Sequence, residues 1–166
     1  DIGPNPDSLP GYYGIAPGSW KHWCRVWGVD YEWMKGRFAS EAMMTKPGMT
    51  VSRWADGVLE KNELIDQDNN LRAVIYWGHA PNSQSRGLEM KTAMEKIDLM
   101  VIVDPYPSAS AVMPDRKEGV YLLPAATQFE TSGSATASNR SLQWREKVVE
   151  PLFESKPDHT IMYAFA

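Results

Sequence analysis

Apolar and polar positions fall into distinct blocks along this 166-residue chain, and the clearest blocks lie near its centre. Arg72-Ala-Val-Ile-Tyr-Trp is an apolar run of strand length that ends in the loop-forming Gly78-His-Ala-Pro-Asn-Ser. Met90, Ala93, Met94 and Ile97 then recur at i, i+3, i+4 and i+7, the spacing of a helix with one apolar face. A second apolar run, Leu99-Met-Val-Ile-Val, ends at Asp104-Pro-Tyr-Pro-Ser-Ala-Ser. Strand, helix and strand in this order predict one βαβ unit. Ligands of such units bind outside the carboxyl ends of the strands, here 78–85 and 104–110. Both loops are rich in hydroxyls and in residues that expose backbone, so a phosphate- or nucleotide-bearing ligand is the first expectation.

The flanking patterns are shorter. Ser19 is placed to cap a helix beginning at Trp20, and Asp30 to cap a second running through Met34 and Phe38 toward Met44 before Pro47-Gly48 stops it. Val51, Trp54, Val58 and Leu59 predict a helix that ends before the polar Asp66-Gln-Asp-Asn-Asn. Val120-Tyr-Leu-Leu is a third strand-like run, closed by Pro124, which cannot donate to an interior ladder. The stretch 125–140 is rich in Thr, Ser, Gly and Asn. A last helix, capped at Asp158, is just showing its apolar face when the sequence stops, so the chain is expected to be a piece of something larger. The proline-rich start, 1–19, carries Ile2, Leu9, Tyr12, Tyr13 and Ile15, too apolar for a flexible linker, and reads as a packed irregular segment. The expected organisation is an irregular and helical Trp-rich segment, 1–49, followed by an α/β lobe, 50–166.

Composition narrows the chemistry. With 43% apolar and 23% charged residues the chain has the makings of an ordinary folded core. Its net charge of -4 and the lack of any Lys/Arg block argue against duplex nucleic acid or an anionic membrane surface as partner. No apolar run approaches the roughly 20 residues that span a bilayer, so no direct membrane insertion is expected. One cysteine, Cys24, excludes an internal disulfide and a self-contained iron–sulfur or CxxC zinc site. Its neighbours Trp23, Val26 and Trp27 favour an inert buried thiol, and the methionines of the crossover read as packing. Neither GxGxxG nor GxxxxGK[ST] occurs, which removes the NAD-type fingerprint and the P-loop.

Four blocks carry a family resemblance across nearly the whole chain from residue 8 onward: Ser8-Leu-Pro-Gly-Tyr-Tyr, Trp77-Gly-His-Ala-Pro-Asn-Ser, Val103-Asp-Pro-Tyr-Pro-Ser-Ala-Ser-Ala, and the stretch from Leu123-Pro-Ala-Ala-Thr-Gln-Phe-Glu to Asn139-Arg-Ser-Leu-Gln-Trp. In order and separation they resemble the large, catalytic subunit of molybdopterin- or tungstopterin-dependent formate dehydrogenases, within the dimethyl sulfoxide reductase family. The resemblance implies an internal piece of that subunit: an α/β, Rossmann-like βαβ sheet with flanking helices, forming one cofactor-binding lobe. It implies molybdenum or tungsten bis(molybdopterin guanine dinucleotide) as cofactor. An iron–sulfur cluster would lie in the parent subunit, not ligated by these residues. Formate is the implied substrate; the remainder of the subunit and an iron–sulfur electron-transfer subunit are the implied partners, and the periplasm the implied location, with the cytoplasm as the alternative. A related enzyme such as a nitrate reductase, or a non-catalytic nucleotide-binding domain or scaffold, stands as the alternative.

The resemblance also distributes roles. Asp104, with Val103 before it, matches the family's acidic position, where a carboxylate can accept both N–H donors of a guanine edge; as a residue alone it equally suits a turn before Pro105. Gly78 permits close backbone approach, and His79, Ala80, Pro81 and Asn82 match the loop that touches the cofactor. Ala80 stands where the family usually has Asn, so His79, Asn82 or a backbone group takes over that contact. Ser108 and Ser110 suit either phosphate contact or turn capping. Thr131 stands where relatives often carry Lys. Ser134, beside Gly133, suits a close approach to the active-site face, and Arg140 can pair with a phosphate or with Glu130. No catalytic or metal-ligating residue is expected in this chain.

Overall fold

The computed structural model describes residues 17–39, 44, 49, 52–65 and 67–166. The Ser8-Leu-Pro-Gly-Tyr-Tyr block, the apolar positions between Ile2 and Ile15, the Pro47-Gly48 stop and Val51 lie outside the described residues. The chain forms two compact units, divided between Gln67 and Asp68.

In the first unit, α1 (Pro17–Trp27) starts three residues before the expected Trp20. Proline suits a first helical turn because its missing N–H has no intrahelical partner there, so Ser19 falls inside the helix instead of capping it. Trp20 and Cys24, one turn apart, are its buried positions. The Trp20 indole donates to the Met44 carbonyl at 3.0 Å, and its ring meets Phe38 edge-on. Gly28, at φ +70°, ends the helix. Asp30 caps α2 (Tyr31–Lys35) as expected, accepting from the Trp33 N–H at 2.9 Å. This helix is shorter than its apolar spacing predicted: after Gly36 the chain tightens into i→i+3 bonds that turn Phe38 onto Trp20. The single helix expected from the Val51–Leu59 spacing is instead a pair, α3 (Trp54–Leu59) and α4 (Asn62–Ile65), parted where Glu60 is extended.

In the second unit, β1 (Ala73–Trp77), α5 (Gly87–Lys96) and β2 (Leu99–Asp104) form the predicted βαβ unit, and β3 (Val120–Pro124) extends it. The sheet order is β1-β2-β3, all parallel. Trp77 stands opposite Val103, and Asp104 opposite Pro124. Met90, Ala93 and Met94 on α5 are fully buried, as their spacing predicts. Alternation along β2 gives each face its own core. Val101 and Val103 pack with Ala125, Trp77, Leu123 and Ile161, the last from α7 (Asp158–Phe165). Met100 and Ile102 lie buried on the opposite side.

Two features of this unit differ from expectation. The Thr/Ser/Gly/Asn-rich stretch leads into an antiparallel hairpin, β4 (Gly133–Thr136) with β5 (Leu142–Arg145). Its strands are four residues each, and only Leu142 and Trp144 alternate on β5, too short a pattern for apolar periodicity to reveal. Pro157, not Asp158, holds the cap position of α7, and the Asp158 carboxylate is taken by the Trp77 indole at 2.7 Å. Between the hairpin and α7, a Lys156 bridge to Ala125 adds a further parallel step beside β3.

Candidate functional site

The carboxyl edge of the parallel sheet brings two of the sequence-marked loops together. The Gly78 N–H donates to the Val103 carbonyl at 2.9 Å, which continues the ladder one residue past β1 and sets Gly78 beside the start of the Asp104 turn. Gly78 is left-handed, at φ +56°, and nothing lies within 4 Å of where a Cβ would stand. Glycine is needed there for its backbone angle, and the space over it is open.

Asp104 is half-buried. One carboxylate oxygen accepts the Tyr106 N–H at 3.2 Å, the Asx-turn contact that its position before Pro105 suggests. Its other oxygen accepts nothing among the described residues. Ser108, just before the short helix α6 (Ala109–Val112), makes no capping bond. Its hydroxyl oxygen is buried and has no partner among the described residues. A buried hydroxyl without a protein partner has hydrogen-bonding capacity that a water or a ligand can take up. Ser110 behaves differently. It is fully buried and donates to the His79 carbonyl at 2.6 Å, tying the two loops to each other.

The rest of the 78–82 loop is ordered by local contacts. The His79 ring stacks parallel on Tyr76, centroids 5.8 Å apart, and burial pushes the Tyr76 hydroxyl far above its usual pKa. Ala80 offers its carbonyl to Ser83, Pro81 is buried in a single 3-10 turn, and Asn82 is exposed. Thr131, Ser134 and Arg140 lie apart from these loops in sequence, before or on the β4–β5 hairpin. Arg140 sits in the hairpin's turn at φ +67°, exposed, and makes no ion pair with Glu130. Both Glu130 oxygens accept from backbone instead, from the Thr127 N–H at 2.7 Å and the Leu152 N–H at 2.9 Å. These bonds hold the Glu130 carboxyl below the usual carboxylate range.

Two structural ties carried no weight in reading the sequence. Thr127-x-x-Glu130 has the spacing of a capping box, a signal that was available. The Trp77–Asp158 bond spans 81 positions and left no local signal. Among the described residues no cluster of His, Cys, Asp and Glu is arranged to hold a metal ion, and no helix is long and apolar enough to cross a membrane.

Comparison with known proteins assigns this architecture. A model of the molybdopterin oxidoreductase family matches residues 15–166. The chain belongs to the molybdopterin oxidoreductase family. Among its relatives, "Probable oxidoreductase YjgC" of Bacillus subtilis is 29% identical over the whole chain. "Putative formate dehydrogenase SH0748" of Staphylococcus haemolyticus and a protein of the same description from Staphylococcus aureus USA300 are each 24% identical over the whole chain. This chain spans 14% of the length of each of them.

Membership in the molybdopterin oxidoreductase family implies a molybdopterin-type cofactor, and the sheet edge fits such a group. Phosphate oxygens need donors, and the Ser108 hydroxyl is a buried donor with none of its capacity used. Ring N–H groups need acceptors, and Asp104 has one oxygen left. The open space over Gly78 lets a ligand reach the backbone.

Proposed function

We propose that this chain supplies part of the nucleotide-binding lobe in the catalytic subunit of a formate dehydrogenase, holding a guanine dinucleotide arm of a bis-pterin molybdenum or tungsten cofactor. One observation carries the reading: the Gly78–Val103 hydrogen bond sets the glycine loop beside the acidic turn, with an open Asp104 oxygen and a partnerless buried Ser108 hydroxyl along the same edge. The descriptions of the staphylococcal relatives support formate as substrate. When bound, the group supplies the redox metal at which formate loses two electrons and a proton to leave carbon dioxide.

The chain's own share is binding and orientation. Asp104 accepts from the guanine edge, Ser108 donates to phosphate, and Gly78 with His79, Ala80, Pro81 and Asn82 lines the approach. Ser110 keeps the two loops in register, while Thr131, Ser134 and Arg140 face the nucleotide from the hairpin. In the same proposal, the remainder of the subunit and an iron–sulfur partner carry the electrons away, and the enzyme works in the periplasm.

Asp104→Asn in the full-length enzyme is the test. An amide cannot accept two N–H donors as a carboxylate does, so guanine nucleotide and metal per polypeptide should fall on the order of tenfold. Turnover of formate per bound metal should stay unchanged. Unaltered guanine content would remove Asp104 from the site. Reduction of nitrate with no oxidation of formate by the wild type would overturn the substrate.

A further inference from the structure

We infer that Glu130 is a positioning residue, the latch that holds the β4–β5 hairpin at a set place relative to the carboxyl edge of the parallel sheet. The inference rests on the reading above, in which the hairpin and that edge hold one ligand between them. Three observations carry it.

Glu130 lies where two chain segments cross. Its two oxygens join the turn that follows β3, through the Thr127 N–H, to the irregular segment that returns after β5, through the Leu152 N–H. The hairpin is the excursion between those segments, and its base is closed at the same place. Val148 and Val149 both donate to the Phe129 carbonyl, at 2.9 and 3.2 Å, and the Lys147 N–H donates to the Ser132 hydroxyl at 2.9 Å. Glu130 is the side chain of the 127–130 turn that reaches the chain beyond the hairpin, at Leu152.

The carboxylate is buried, with a relative exposure of 6%, and no cation pairs with it among the described residues. A buried carboxylate served only by amide and hydroxyl donors is an expensive way to close a loop that an apolar contact would close as well. What it adds is direction, because both donors must lie on the two lone-pair sides of one planar group.

The hairpin has little else to orient it. Every residue from 136 to 150 is exposed, including Leu142 and Trp144. Beyond the closure at its base, the Arg145 guanidinium reaches the Gln128 side chain at 2.7 Å, again on the segment that Glu130 anchors. Loss of the latch therefore frees Ser134 and Arg140 while leaving the buried sheet intact.

The experiment compares Glu130→Gln, Thr127→Val and Thr127→Ser with Asp104→Asn in the full-length enzyme. Glutamine can accept only one of the two N–H donors and turns its own NH2 toward the other. Thr127→Val takes away the hydroxyl that helps lower the Glu130 carboxyl pKa, and Thr127→Ser keeps one. The readouts are guanine nucleotide per folded polypeptide, tryptic cleavage after Arg140, and kcat and KM for formate per bound metal. Glu130→Gln should raise cleavage and lower guanine content, each on the order of tenfold. Thr127→Val should do both more weakly, Thr127→Ser should recover, and kcat and KM per loaded metal should not move.

Faster cleavage with full guanine content would overturn the latch as a positioning device, and so would no change in either. Should Glu130→Gln fail to fold, the Thr127 pair decides: equal behaviour of Val and Ser overturns the inference. Asp104→Asn reports separately on the underlying site, so retained guanine in that variant removes Asp104 from the site whatever the latch does.

Discussion

The two ends of the parallel sheet are built on opposite principles. At its amino end the Arg116 guanidinium and Gly119 are committed to structure. The Arg116 guanidinium donates to the Met94 carbonyl at 2.7 Å, to that of Ile97, and to that of Asp98 at 3.1 Å, serving the carbonyls that α5 leaves at its carboxyl end. Gly119 passes so close that a Cβ there would lie 2.4 Å from the Asp98 carbonyl oxygen. At the carboxyl end an Asp104 oxygen and the Ser108 hydroxyl are left over, and Gly78 meets nothing. Spent hydrogen-bonding capacity marks the end that holds the fold together, and surplus capacity marks the end at which we propose the ligand binds.

Substitutions at the two ends should separate stability from cofactor binding. Gly119→Ala combines a left-handed angle of +69° with a backbone clash, and should cost about 3 kcal/mol, read as lost hydrogen-exchange protection of β2 and β3. Gly78→Ala shares the angle without the clash, so an equal loss there would break the contrast. Arg116→Met strands the carbonyls it serves and should cost about 2 kcal/mol by the same measurement.

Ser108→Ala sharpens the contrast from the other side. It removes a buried hydroxyl that has no protein partner, so cofactor-free stability should hold or rise by about 1 kcal/mol while nucleotide content falls. A loss of stability in the cofactor-free form would mean that the hydroxyl serves the fold after all. Arg72→Ala breaks an ion pair with Asp98 that is largely open to water, and should shift stability by no more than about 0.5 kcal/mol in a denaturant titration.

Much of the second unit was legible in the chain. The βαβ order, the buried face Met90-Ala93-Met94-Ile97 and the third strand follow from periodicity, because a buried face repeats with its element's own period. The Asp30 cap was legible for the same local reason. The lengths of α1 and α2 were not, nor was the break between α3 and α4, since short helices end where packing ends them and not where propensity does. The hairpin escaped because β5 alternates Leu142 and Trp144 with polar residues over only four positions, opposite the small residues of β4, too short a run for periodicity to stand out.

By itself the sequence determined what kinds of group stand at the ends of the strands: a glycine, an acid and two serines, in loops that a parallel sheet must bring to one edge. Only the tertiary structure decided how each is used. Ser108 and Ser110 are the same residue two positions apart, yet one hydroxyl is left without a partner and the other is bonded across 31 positions of sequence to His79. Glu130 and Arg140 have opposite charges and stay unpaired: the acid accepts from two backbone N–H groups, and Arg140 stands exposed in the hairpin's turn. Hydrogen-bonding capacity is written in the residue, but whether it is spent depends on which distant atoms the fold brings within about 3 Å of it.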